Sequence, residues 1–122
     1  MTTDTADPER NCIDPGLRAD VIFDVLNHPR RRHALYYLAE AVGAVPLAEL
    51  ADAVAEQEGT PTAERRQRVA TGLYHTHLPK FDETGVAEYD PRTDIVTLSA
   101  RAATALAPYL ELAARDDIRA DR

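Results

Sequence analysis

Apolar residues recur at helical spacing in most of the chain and alternate in one short region. Val21, Ile22, Val25 and Leu26 predict a short first helix, interrupted at His28 and Pro29. A second helix opens with Pro29 in its first turn, carries Leu35, Leu38 and Val42 on one stripe, and ends near Gly43 as a C-cap. From Pro46, residues Leu47, Leu50, Ala51 and Val54 fall at i, i+3, i+4 and i+7, with Glu49, Asp52, Glu56 and Glu58 on the wet face. Thr60 is expected to cap a fourth helix with Pro61 in its first position, and Val69, Leu73, Tyr74, Leu78 and Phe81 mark its buried side. Pro79 lacks the N–H that would bond the carbonyl of His75, so this helix should kink or thin there before ending near Gly85. VAEYD and IVTLS, joined by PRTD, predict a β-hairpin, the only β structure expected. Ser99 then caps a last helix with Leu106, Tyr109, Leu110 and Ala113 on one stripe and Pro108 inside it.

The fold class that follows is mainly α with a small β-hairpin, in the element order of a winged helix-turn-helix. A chain of 122 residues supports one core. Residues 19–114 are assigned to the domain, 1–18 to a disordered leader and 115–122 to a polar tail. Hydrophobic residues make up 44% but aromatics only 6%, with no Trp, so Leu, Val, Ile and Ala must build the interior. No apolar run reaches the roughly 20 residues of a membrane span, and the start has neither a basic region nor an apolar one, so a cytoplasmic protein is expected. Cys12 is the single cysteine, set in the polar leader, and is read as incidental.

Charge alters this picture. The net charge of -7 has the wrong sign for a typical nucleic-acid binder, so the location of the bases matters more than their number. Residues 60–80 hold Arg65, Arg66, Arg68 and Lys80 against Glu64 alone, whereas residues 44–58 carry four acids and no base. Arg65, Arg68, Gly72 and His75 share one helix face, and Gly72 would let that face approach a phosphate or base edge closely. A second cluster, Arg30, Arg31 and Arg32, crowds the start of the second helix. There each cation opposes the helix macrodipole at a cost of about 0.3–1 kcal/mol, which calls for some use of the charge. Arg92 and Thr93 sit at the hairpin tip, where a wing meets phosphate; an ordinary polar turn has the same composition.

The segments LNHPRRRHALYYL, PLAELADAV and LYHTHLPKFDETGVAEYD resemble a haloarchaeal family of uncharacterised winged-helix domains, itself similar to ArsR-type transcriptional regulators. The likeness spans about residues 20–100, and HTHLPKFDETGVAEYD is its most specific part. The resemblance implies binding of double-stranded DNA through the helix carrying Arg65, Arg68, Thr71 and His75, a wing around Arg92, and a homodimer. It supplies neither an effector nor a target gene. Metal-sensing members use cysteine or histidine and carboxylate clusters; a lone Cys12 departs from the thiolate version.

His75 and His77 lie about 200° apart on a helix, so they do not chelate one ion from one face, and His77 is expected inside. His28 and His33 become ligands only if the fold or a second chain brings them beside acids such as Asp24; no metal or other cofactor is expected. Tyr36, Tyr37, Tyr74 and Tyr109 are read as packing residues. No nucleophile setting or phosphate-cradling loop points to an enzyme. The expected function is therefore sequence-specific DNA binding and transcriptional regulation by a dimer, with helix 60–78 in the major groove. The site comprises Arg65, Arg66, Arg68, Thr71, Gly72, His75, Lys80, Arg92, Thr93 and Arg30 to Arg32. The rival is a winged-helix protein-interaction module that does not bind DNA. A third class is a ligand-sensing switch at the last helix, whose stripe serves the chain's own core or a second subunit equally well.

Overall fold

The computed structural model describes residues 17–41 and 43–120, with side chains through Asp117; the leader to Gly16, Cys12 within it, and Val42 lie outside the described residues. Helices α1 (Ala19–Leu26) and α2 (Pro29–Glu40) meet at His28, and a short strand β1 (Val45–Pro46) leads into α3 (Leu47–Glu58). A long helical rod follows, made of α4 (Ala63–Gly72), a π-turn (Leu73–His77) and α5 (Leu78–Thr84). Strands β2 (Ala87–Asp90) and β3 (Ile95–Leu98) form the hairpin, and α6 (Ala100–Ala120) closes the described chain. The result is a mainly helical domain with a small antiparallel sheet in the order β1-β3-β2.

The predicted stripes are the observed core. Leu47, Leu50, Ala51 and Val54 of α3 are all buried, as are Leu35 and Leu38 of α2 and Val69, Leu73, Leu78 and Phe81 of the rod. Leu106 and Leu110 bury the α6 stripe in this chain's own core. That resolves the choice left open between the core and a second subunit for these two residues.

The rod explains how Pro79 is accommodated. At 3.6 residues per turn, Leu78 would lie about 180° from Val69, on the wet side. The π-turn, closed by the Leu78 N–H donating to the Leu73 carbonyl, rotates less per residue and brings Leu73, His77, Leu78 and Phe81 to the interior together. It lies immediately before the proline whose missing N–H and ring disfavour a regular α-turn, so the widening replaces a sharp break. Tyr74, expected on the buried side, is 46% exposed.

Three further expectations are corrected. The cap of α4 is Thr62, whose hydroxyl accepts from the Arg65 N–H at 3.1 Å, rather than Thr60. Thr60 instead turns the chain, its carbonyl accepting from the Thr62 N–H at 2.9 Å. Strand β1 was not anticipated. Its two residues pair as Val45↔Val96 and Pro46↔Ile95, and Pro46, which has no N–H to donate, is tolerated because the strand is an edge. Finally, α6 continues through the segment read as a tail beginning at 115, because Asp117 reaches back to α2 and ties down its last turns. Ser99 caps α6 as expected, its hydroxyl accepting from the Ala102 N–H at 3.0 Å.

Candidate nucleic-acid interface

The α3–α4 connection, Gly59 to Thr62, presents α4 with one side packed on the core and the other open. Glu64, Gln67, Arg68, Thr71, Tyr74 and His75 are exposed along that open side, at the three- and four-residue steps of one helix face. His77, two residues beyond His75, is only 3% exposed, the opposite placement that their angular separation requires. The hairpin tip follows at the end of the rod. Between them lies a groove of about 490 Å³ lined in part by Tyr74, His75, Pro79, Asp82, Tyr89 and Pro91, with the Tyr74 and Tyr89 rings edge-to-face at 5.7 Å.

The predicted basic residues separate into two groups. Arg68 is exposed and has no ion-pair partner among the described residues. Arg66 pairs at 3.2 Å with Asp52 of α3, both half-exposed, a contact worth little in water. Arg65 turns back, its Nε donating to the Thr60 carbonyl at 2.9 Å. Lys80 pairs with Asp24 of α1 at 2.5 Å and so faces α1 rather than the open side of α4. Arg92 and Thr93 stand exposed at the tip, with Arg92 3.5 Å from the Asp90 carboxylate.

Arg30, Arg31 and Arg32, expected as backbone anchors, are each engaged inside the chain. Arg30 makes a bidentate pair with Glu58 at 2.6 and 2.9 Å. Arg31 donates to the carbonyls of Val25 and Asp24, and Arg32 to that of Leu26, satisfying the last turn of α1. Arg32 also holds Asp117 of α6 through two bonds of 3.1 and 3.0 Å. The macrodipole penalty at the start of α2 is thus offset at the end of α1, where cations are favoured. Gly72 belongs to this network: a Cβ there would lie 2.6 Å from Nη1 of Arg30. The missing side chain gives room to an arginine of the same chain, a packing role distinct from the close approach to DNA expected of it.

The electrostatics follow from these contacts. Burial depresses the His77 imidazole to about 4, helped by the neighbouring His28, whose ring centroid is 4.5 Å away, and by Arg31 and Arg30. Burial pushes the Asp117 carboxyl up, but hydrogen bonds from Arg32 and Tyr36 outweigh it and hold the group below its ordinary value. Among the described residues no group of three or more His, Cys, Asp or Glu side chains could hold a metal ion, and no helix is long and apolar enough to cross a membrane.

Sequence reasoning missed Gln67 and Tyr74 on the open face. Gln67 was visible one step before Arg68; Tyr74 was hidden because the apolar series running to Leu78 includes it.

A mainly helical domain with a three-stranded sheet, exposing a polar helix face beside a hairpin, is the class these observations define. Residues 23–97 match a family described as a domain of unknown function, DUF7344; this covers more than half of the chain, which therefore belongs to that family. That description gives no activity, and lends no support to the winged-helix, ArsR-type or haloarchaeal parts of the resemblance. No curated protein and no solved structure matches the chain.

Proposed function

We propose that this chain is a winged helix-turn-helix protein of the cytoplasm that binds double-stranded DNA as a homodimer and regulates transcription, without enzymatic activity. The element order supports the fold reading: α2, β1, α3, α4, then the β2–β3 hairpin, with β1 completing the sheet beside β3. The observation that carries the functional reading is the open face of α4. There Arg68 is exposed beside Gln67, Thr71 and His75, while the other arginine cluster is taken up within the fold. On this reading Arg68 contacts phosphate or guanine, and Gln67, Thr71 and His75 approach base edges. Arg65 and Arg66 contribute charge near the backbone, and Arg92 and Thr93 meet phosphate from the wing.

One observation favours a protein-interaction module instead. The stretch from α5 to the end of the hairpin carries Asp82, Glu83, Glu88, Asp90 and Asp94, which would repel phosphate wherever the wing approached it. Selection of bound sequences from random duplexes, at low and at multimolar KCl, decides between them. DNA binding predicts a shared motif for the native protein, loss of at least tenfold in affinity for Arg68→Glu, and no loss for Arg101→Glu on α6. No enrichment at either salt by folded protein would overturn the DNA reading in favour of the interaction module.

A further inference from the structure

Away from the α4 face, helices α2, α3 and α6 line a half-open cavity of about 380 Å³. This is within the range of roughly 300–1,000 Å³ typical of small-molecule sites. Its wall includes Tyr36, Tyr37 and Glu40 from α2, Glu56 from α3 and Asp117 from α6, with His33 beside them. No lysine or arginine is among the lining residues, in a region where Arg30 and Arg32 are close by but turned to other partners.

We propose that this cavity is a binding site for a small organic amine in its cationic form. Two aromatic rings and carboxylates on one concave wall match such a ligand on both counts: the rings attract a cation through their π faces and cover its apolar body, and the carboxylates accept its N–H groups. The carboxylates divide the work. Asp117 already receives Arg32 and the Tyr36 hydroxyl, the latter at 2.5 Å, so it fixes the wall. Tyr37 is fixed likewise by donating to Glu49. Glu40 and Glu56 are exposed on opposite helices and form no ion pair among the described residues, leaving them to receive the ammonium. An anion would face three carboxylates here, and a neutral apolar ligand would leave Glu40 and Glu56 poorly solvated at the mouth. The site does not depend on the DNA reading and is testable without DNA.

Isothermal titration of the full chain with putrescine, spermidine and phenethylamine, against benzoate and matched KCl, tests the assignment. The expected result is saturable binding of at least one amine at a single site and none of benzoate. Affinity should fall at least tenfold in Glu40→Gln/Glu56→Gln and stay unchanged in Glu83→Gln/Glu88→Gln, which removes the same charge from α5 and the hairpin. All four positions are exposed, so both variants should remain folded, as circular dichroism would check. Failure of every amine to bind, or equal losses in the two variants, would overturn the proposal, the second outcome marking general attraction to an acidic protein.

Discussion

Replacing Gly72 by alanine tests the claim that this glycine exists to admit Arg30. In an ordinary helix interior the change is stabilising by about 1 kcal/mol, since glycine loses more backbone freedom on folding. Here the new Cβ would lie 2.6 Å from Nη1 of Arg30, whereas contacts between such atoms normally exceed roughly 3.4 Å. The guanidinium must therefore retreat, and the bidentate geometry with Glu58, at 2.6 and 2.9 Å, does not survive that movement intact. Both side chains are about four-fifths buried, at 23% and 20% exposure, so losing one charge-assisted bond costs on the order of 1.5–3 kcal/mol. Gly72→Ala should then destabilise by about 0.5–2 kcal/mol net. In an Arg30→Ala background the same substitution meets no obstacle and should stabilise by about 1 kcal/mol, giving a coupling of roughly 2 kcal/mol. Urea denaturation of the four proteins, followed by circular dichroism, measures it. Equal stabilisation by Gly72→Ala in both backgrounds would refute the argument and return Gly72 to a role at the open surface.

Other perturbations have equally definite outcomes. His77 has its folded pKa lowered to about 4 from the ordinary 6.5, so the unfolded chain binds the extra proton first. Stability from this group is complete above about pH 6.5 and lost as pH falls through 4; it amounts to about 3 kcal/mol, and His77→Leu should flatten the pH profile in that window. Thr62→Ala should cost about 1 kcal/mol through loss of the α4 cap, while Thr60→Ala, which keeps its carbonyl, should cost far less; a reversed order would place the cap at Thr60. Asp117→Ala removes two bonds from Arg32, which keeps the Leu26 carbonyl, and leaves the Tyr36 hydroxyl without this partner, both partly buried; it should destabilise by about 1–3 kcal/mol with increased amide exchange in the last turns of α6. Native-like protection there would show that the helix end is held by something else.

Much of the fold was legible because apolar spacing on α2, α3, the rod and α6 is a direct image of the core, and because capping chemistry marked Ser99 correctly. The misses have physical origins. A two-residue edge strand at Val45 and Pro46 carries no periodicity and is defined only by its partner β3. The end of α6 looked like a tail because RDDIRADR is polar, yet one of its acids, Asp117, has partners 85 and 81 residues away at Arg32 and Tyr36, a relation that no local window contains. Tyr74 was misplaced because it was grouped with Leu78, which reaches the interior only through the π-turn before Pro79.

The exposed face of α4 was legible in the sequence, but not which arginines lie free on it, and the arginines show why. Clustering and an unfavourable position at a helix start both indicate that a cation has a use, but several uses give the same signal in sequence. At α2 the demand came from the unsatisfied carbonyls of α1 and from Glu58 and Asp117. At α4, Arg66 meets a half-exposed acid and Arg68 meets none among the described residues. Once the internal partners are assigned, the basic surface contracts from two patches to the α4 face, with Arg92 beyond it. On the proposed DNA reading, a protein of net charge -7 with so few cations on this face relies more on base contacts and shape than on counterion release. Its affinity should therefore fall less steeply with salt than that of a protein making 6–10 phosphate contacts, and a slope as steep as theirs would place phosphate-binding residues somewhere other than this face.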